Sequence, residues 1–501
     1  MNWIASLNAN KYRSIILLGA TILVIATFLF TRLFALHDGL FFLNDMGRDF
    51  LVLLDWRQTW KPPLLGPQNS ALPFNQSAIY FFWLMPVYVL SGFSYYASVY
   101  TLVLTYVAFF AAGMWALRRH PWWPWLLLAF AWLITLHPTS IAQNRFVWNP
   151  SFLAPFLVLT IVGYWQSRKP SNVLISEGST LWIIGLAVGT GLSLAFSYSL
   201  IPVFVAFGVS ILIIDRWQSW KPILAMAIGT LIMHLPTVAF ELRHNFFLTR
   251  AVGKWLSAGA VPDGTAHTFT TTEKLHDLFL HTLGIESEIR QAIIIGIFFI
   301  TCLYALWKWR RPRTEMQKIF LFISSLLWFS VALTMWLPIG VHAHYIFGIA
   351  TLFFLTVLTL PNWSRIILVT AFTVSWLWPS TFVPHFDRAP RTVNEMASCS
   401  QQACQAVGNT PVFASIESGI LPFHNGPDWR YMLATNGCNL QNLETTPQAA
   451  DTMLVVSEFS EYVHTETSFH ELSMFGESRE VETIECTENL RVHVLKRSRA
   501  E

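Results

Sequence analysis

The chain has 501 residues, of which 54% are hydrophobic, 15% aromatic and only 12% charged, and its formal net charge is +3. Soluble domains carry about 25% charged residues, so this composition predicts a polytopic membrane protein and argues against a soluble enzyme. The small net charge and the lack of a basic tract with interleaved aromatic residues also argue against a nucleic-acid partner.

The first apolar run, residues 14–36, is too long for the core of a signal peptide and is predicted to be a retained transmembrane helix. Further apolar runs of near-membrane length bring the expected total to about eleven spans. The predicted spans are 14–36, 95–117, 121–138, 150–166, 180–196, 199–214, 221–240, 291–307, 318–339, 343–360 and 364–383. Basic residues concentrate in alternate loops, so the positive-inside rule predicts a cytoplasmic N-terminus.

One apolar run, Ala78–Leu90, is too short to cross a bilayer and contains Pro86. Counting it as a span would place the basic loops on the outside. Residues 37–92 are therefore predicted to form one extracytoplasmic loop that ends in a surface or half-inserted helix.

The charged stretch 44–49 opens this loop. In a helix from Asn44 onward, Asp45, Arg48 and Asp49 share one face by the i, i+3, i+4 rule. The same helix carries an apolar flank suited to lying on a bilayer, formed by Phe50, Leu53 and Leu54. Alternatively, Asn44 or Asp45 only caps the helix and Arg48 neutralises its neighbours.

Other polar residues are predicted at the outer ends of spans, where they can bind a ligand that lies in the membrane. The substrate-binding candidates, together with Arg48, are Arg145, Asn149, Tyr198, Arg243, His344 and Tyr345. The alternatives for these residues are helix caps and ordinary interfacial contacts with lipid headgroups. The sequence contains no Walker loop, G-x-G-x-x-G, D-x-D or H-E-x-x-H motif, which disfavours ATP-driven pumps, dinucleotide enzymes and cytoplasmic sugar-nucleotide transferases.

From residue 385 onward the composition becomes soluble, and strand-like runs at 453–456 and 491–495 predict a small α/β domain. The domain boundaries predicted from sequence are 1–384, which includes the first external loop, and 385–501.

Four of the five cysteines lie in this tail, which predicts two disulfides on an oxidising side of the membrane. The favoured pairing is Cys399 with Cys404 and Cys438 with Cys486. The alternatives are a zinc site, which the spacing does not favour, or free thiols if the topology is inverted.

Taken together, several motifs resemble the GT-C glycosyltransferases. They are Asp45-x-x-Arg48-Asp49 after the first span, residues 62–67 and 78–83, Gly92, Trp148-Asn149-Pro150, residues 196–199 and 236–244, and His344-Tyr345. The chain is most similar to the bacterial family 39-like group, whose relatives include protein O-mannosyltransferases and the lipid A aminoarabinose transferase.

The apolar runs supply about eleven transmembrane helices, and the tail supplies a small α/β extracytoplasmic C-terminal domain. The resemblance implies that the helices form a GT-C-like bundle in the bacterial plasma (inner) membrane, with surface helices in the first external loop. It also implies a polyprenyl-phosphate sugar donor, membrane lipids as partners and an extracytoplasmic acceptor that the sequence does not identify. Asp45 matches the loop aspartate of the family and would activate the acceptor, with Asp49 as the second catalytic candidate.

The chain departs from the family pattern in two places. Met46 stands where many members have a second acidic residue, and residues 75–77 are Asn-Gln-Ser where the aminoarabinose branch has Glu-Lys-Pro. The need for a divalent cation is therefore left open. The competing hypotheses are a transporter or flippase of lipid-linked glycans and a non-catalytic envelope assembly protein.

Overall fold

The computed structural model describes residues 2–68, 75–168, 176–215, 220–257, 270–336, 346–419, 426–459, 462 and 470–498. Residues 2–62 form α1 (Asn2–Leu33), α2 (Leu36–Gly39) and α3 (Asn44–Thr59). The membrane part continues with β1 (Leu65–Gln68), β2 (Asn75–Ser77), α4 (Ile79–Leu90), α5 (Ala97–Leu117), α6 (Trp123–Leu136), α7 (Pro138–Arg145), α8 (Leu153–Ser167), α9 (Ser176–Phe196), α10 (Ile201–Asp215), α11 (Trp220–Met233), α12 (Leu235–Arg243), α13 (Phe247–Ser257), α14 (Thr271–Leu283), α15 (Glu288–Lys308), α16 (Glu315–Trp336), α17 (Phe347–Thr359), α18 (Asn362–Trp376) and α19 (Pro379–Phe382). The tail forms α20 (Val393–Val407), β3 (Pro411–Ser418), α21 (Pro427–Thr435), β4 (Asn439–Leu440), β5 (Thr452–Glu458), α22 (His470–Phe475), β6 (Ser478–Thr487) and β7 (Leu490–Arg497).

The apolar helices make the chain a polytopic membrane protein. Within the described ranges, four helices are long and apolar enough to cross a bilayer, and the number rises to eight if each of four bent helix pairs forms one span. The predicted spans 180–196 and 199–214 form one such pair, bent by 120°. The predicted loop after residue 138 begins with α7, which is bent by 68° from α6. The count of eleven spans stays a prediction.

Close packing of α8, α9 and α11 depends on glycine. A Cβ atom on Gly229 would lie 1.9 Å from the Ala187 carbonyl oxygen, and one on Gly163 would lie 2.6 Å from the Leu186 nitrogen. Without a side chain at these positions the helix backbones approach each other directly, as small residues allow in membrane bundles.

By their internal contacts the residues divide into two compact units. The membrane unit comprises residues 1–34 and 63–385, and the C-terminal unit comprises residues 35–62 and 386–501. Helix α3, which lies in the loop predicted to be the first external one, thus belongs to the same unit as the tail. The sequence-based boundary between 384 and 385 stays a prediction.

The C-terminal unit contains a five-stranded sheet with strand order β4-β3-β5-β7-β6. Strand β3 pairs in parallel with β4 and β5, whereas β7 is antiparallel to both β5 and β6. One face is packed by an apolar cluster that includes Phe413, Met453, Val455, Phe475 and Leu495. The small α/β domain predicted from the tail's composition is confirmed.

The tail contains two disulfides, as predicted, but the favoured pairing is wrong. Cys399 is bonded to Cys486, with a Cα–Cα distance of 5.2 Å, and Cys404 is bonded to Cys438, with a Cα–Cα distance of 4.9 Å. Cys399 and Cys404 both lie in α20, where an offset of five residues points their side chains in different directions and separates their Cα atoms by more than about 7 Å. The bonded cysteines also rule out the zinc alternative.

Candidate functional site

Helix α3 brings together the three charged residues predicted to share one of its faces. Asp45 lies in the first turn. The Arg48 guanidinium donates from Nη1 to Asp45 Oδ1 at 2.6 Å, and from Nε and Nη2 to Asp49 Oδ1 at 2.9 and 2.8 Å. One arginine therefore links the two carboxylates.

The two carboxylates differ sharply in exposure. The Asp45 side chain is 33% exposed and that of Arg48 32%, whereas Asp49 is only 1% exposed. Asp49 can hold Arg48 in place from within the protein, and Asp45 is the carboxylate that is accessible from outside. The partial positive charge at a helix N-terminus also interacts favourably with Asp45.

Two expectations about α3 need correction. Its cap residue is Leu43, with no side-chain cap, so neither Asn44 nor Asp45 is the cap. The apolar flank is also buried in protein instead of being available to lipid: Phe50 is 1% exposed, and its ring centroid lies 5.3 Å from that of Tyr431. The sequence could not show this partner because Tyr431 lies in the tail.

A buried ionic network behind α3 was missed by sequence reasoning. Arg391 donates from Nη2 to Asp428 Oδ2 at 2.6 Å, from Nε to Glu458 Oε2, and from Nη1 to the Phe42 carbonyl oxygen at 2.9 Å. The side chains of Arg391, Asp428 and Glu458 are 2%, 0% and 0% exposed. Residues so far apart in sequence carry no local signal of such pairing.

In the membrane unit, Arg145 and Asn149 are buried and bonded to backbone. Arg145 ends α7 and donates from Nη1 to the Phe34 carbonyl oxygen at 2.7 Å. Asn149 donates from Nδ2 to the Phe196 carbonyl oxygen, which ties the 3-10 helix at residues 149–152 to the end of α9. Both side chains thus have a structural role in addition to the binding role predicted for them.

The other predicted binding residues differ in their surroundings. Tyr198 stacks on His234 with 5.8 Å between ring centroids, and Arg243 is exposed at the end of α12. Next to Arg243, the buried Glu241 accepts hydrogen bonds from the backbone nitrogens of Leu248 and Thr249, and so stabilises the start of α13. His344 and Tyr345 lie outside the described residues.

An apolar cavity of about 530 Å³ lies among α1, α5, α6, α8 and α9. Its lining includes Phe28, Tyr106 and Thr135. The fully buried Arg32 stacks on Phe28 at 4.5 Å from the ring centroid and donates to the Thr135 carbonyl oxygen. The cavity suits a hydrocarbon chain better than a sugar, because its remaining walls are aliphatic and aromatic.

Within the described part of the chain, no three His, Cys, Asp or Glu side chains are grouped in a way that could hold a metal ion.

Comparison with known proteins places the fold. No protein-family model and no curated protein matches the chain. Among solved structures, it is similar to ArnT from Cupriavidus metallidurans, both in the apo state and bound to undecaprenyl phosphate. Each match has a TM-score of 0.61 and 12% identity, and covers 95% of this chain and 98% of that chain.

The apo oligosaccharyltransferase of Archaeoglobus fulgidus is also similar. Its TM-score is 0.54 at 9% identity, with 88% of this chain and 69% of that chain covered. These likenesses confirm the GT-C fold that the sequence motifs implied.

Proposed function

We propose that the chain is a membrane glycosyltransferase that moves a sugar from a polyprenyl-phosphate donor to an extracytoplasmic acceptor. The observation that carries the proposal is the arrangement on α3: an exposed carboxylate, Asp45, held through Arg48 by a buried one, Asp49, in a chain of the GT-C fold. Asp45 is assigned as the acceptor-activating residue. Asp49 acts through Arg48 and is a positioning residue.

In the proposed step, an acceptor oxygen attacks the anomeric carbon of the donor sugar. The new carbon–oxygen bond forms as the bond to the phosphate oxygen breaks, the configuration inverts, and the polyprenyl phosphate leaves with the electron pair. Asp45 takes the acceptor proton, a role worth about 10²- to 10⁴-fold in rate. Cationic groups stabilise the negative charge on the departing phosphate.

The predicted substrate contacts of the membrane unit remain part of the proposal. Arg243, an exposed cation, is the first choice for the phosphate, and Tyr198, His344 and Tyr345 are further contacts. Arg145 and Asn149 hold the backbone at Phe34 and Phe196 through hydrogen bonds to these carbonyl oxygens. The apolar cavity supports an isoprenoid carrier because it can take up part of such a chain. The ArnT structure with bound undecaprenyl phosphate supports the same class of lipid.

We also propose that the chain lies in the bacterial plasma membrane with its N-terminus in the cytoplasm. The two disulfides of the C-terminal unit support an extracytoplasmic position for that unit, because disulfides persist in oxidising compartments.

The test is complementation of a deletion strain with the Asp45→Asn variant, read by mass spectrometry of envelope glycans and polyprenyl-phosphate sugars. We expect a loss of transfer of at least about 100-fold, with accumulation of the unused donor. Asp55→Asn is the matched control, because Asp55 is an exposed acid on the same helix. It should complement fully.

Membrane insertion of both variants is checked by extraction and size-exclusion chromatography. If the inserted Asp45→Asn protein still supports full transfer, the carboxylate is not the acceptor-activating group. If deletion changes neither the glycans nor the donor pool, the assignment as a transferase is wrong. A donor that accumulates only on the cytoplasmic side would instead indicate a flippase.

A further inference from the structure

The position of α3 is set mainly by other parts of the C-terminal unit. At its N-terminal end, Gly47 lies directly against α21: a Cβ atom on Gly47 would be 2.2 Å from both the Cα and the nitrogen of Asp428. The backbone of α3 at Gly47, two residues after Asp45, therefore contacts the backbone of α21 directly. A displacement of α21 towards α3 would therefore push directly on the first turn of α3.

An aromatic cluster fixes the same pair of helices from the side. The Tyr431 ring on α21 lies 5.3 Å from Phe50 on α3 and 5.9 Å from Phe42 just before it, measured between ring centroids. Phe42, Phe50 and Tyr431 are all fully buried. Aromatic pairs at such distances stabilise the contact beyond what their burial alone contributes.

The Arg391 network then ties these helices to the sheet. Its guanidinium bonds at once to the Phe42 carbonyl oxygen before α3, to Asp428 in the first turn of α21 and to Glu458 at the end of β5. Trp429 Nε1 also donates to Glu458 at 3.2 Å. Three segments distant in sequence thus share one buried cation.

The far end of α21 is also held. The disulfide between Cys404 and Cys438 joins α20 to the residues that follow α21. Both ends of α21 are therefore anchored, which makes it a rigid support for α3.

We infer that the tail serves the proposed reaction by positioning Asp45, with Asp428, Tyr431 and Arg391 acting as positioning residues through α21. The inference rests on the proposed function for its catalytic consequence. The physical reason is that misplacing a reacting group by about 1 Å costs on the order of 10²-fold in rate. Residues that hold α3 should therefore affect turnover more than donor binding.

The test uses the full-length protein in detergent, with the lipid extract of the deletion strain as the donor and the extracted envelope of the same strain as the acceptor. Gly47→Ala inserts a methyl group where the Asp428 backbone lies, and Gly19→Ala is the control because a Cβ atom on Gly19 meets nothing within 4 Å. For Gly47→Ala we expect hydrogen exchange in α3 to rise about tenfold and turnover to fall about 10²-fold. The extract concentration that gives half-maximal rate should stay within about twofold, because donor binding is not the step lost.

Tyr431→Leu is a second variant for the case in which Gly47→Ala does not fold. It removes the ring contacts without a backbone clash, and Tyr431→Phe should restore both exchange and turnover because it restores the ring. The inference is overturned if both Gly47→Ala and Tyr431→Leu leave exchange in α3 unchanged, or if turnover survives faster exchange.

Asp45→Asn is measured in parallel to separate the two proposals. If Asp45→Asn retains activity while Gly47→Ala loosens α3 without loss of turnover, the catalytic assignment fails and positioning by the tail has no catalytic consequence. If Asp45→Asn is inactive but neither Gly47→Ala nor Tyr431→Leu affects α3 exchange or turnover, the catalytic assignment stands and the inference about the tail fails.

Discussion

Replacing Arg391 by methionine should destabilise the C-terminal unit more than any surface substitution in it. The change keeps much of the apolar stem but removes the cation from a network in which Asp428 and Glu458 are both fully buried. Two carboxylates then remain in a low-dielectric interior without their partner. Breaking a buried pair in this way costs about 3–5 kcal/mol.

The matched control is Arg388→Met. Arg388 also forms an ion pair, with Glu395 at 2.6 Å, but its side chain is 60% exposed. Solvent screening limits such a pair to about 1 kcal/mol or less. The two arginines are close in sequence, and both substitutions remove the same charge. A difference in stability between the variants therefore measures the effect of burying the ion pair.

The assay is urea-dependent pulse proteolysis of the purified full-length protein, with detection of the C-terminal unit. For a unit of this size, a loss of 3–5 kcal/mol corresponds to a decrease of roughly 2 M in the urea midpoint. A triple variant, Arg391→Met with Asp428→Asn and Glu458→Gln, should recover part of the loss because no unpaired charge remains. Equal stability of Arg391→Met and Arg388→Met, within about 1 kcal/mol, would refute the reasoning.

Three further predictions concern other parts of the chain. Replacing both Cys404 and Cys438 by serine should lower the free energy of unfolding by roughly 4 kcal/mol, from the chain-entropy estimate for a loop of this length. Non-reducing peptide mapping of the parent protein should recover the two cysteines in one disulfide-linked peptide. Burial raises the pKa of Glu395, but hydrogen bonds from the cap of α20 and the neighbouring arginine outweigh it and lower the pKa below the ordinary 4.5. The stability contributed by Glu395 is therefore present above pH 4.5 and is lost as the pH falls through the lowered pKa. In the Glu395→Gln variant the free energy of unfolding should decrease less steeply as the pH falls through this range. An unchanged pH dependence would contradict the assignment. Gly229→Val should separate α9 from α11 and lower the yield of folded protein on size-exclusion chromatography. Gly208→Ala should have no effect, because a Cβ atom at this position meets nothing within 4 Å. Equal yields of the two variants would argue against close packing at Gly229.

Local patterns in the sequence determined much of this protein. Hydropathy identified a polytopic membrane protein, i, i+3, i+4 spacing placed Asp45, Arg48 and Asp49 on one helical face, and the tail's composition indicated a small α/β domain with two disulfides. These features depend on neighbouring residues, whose spacing can be read directly. The motifs of the membrane part also pointed to the GT-C fold.

Only the tertiary structure decided which distant segments meet. Arg391 and the Phe42 carbonyl oxygen lie 349 residues apart in sequence, so nothing local could reveal their hydrogen bond. The same limit explains the wrong disulfide pairing and the apolar flank that packs on Tyr431 instead of lipid. Periodicity shows which side of a helix is apolar, but the element that covers this side depends on the path of the whole chain.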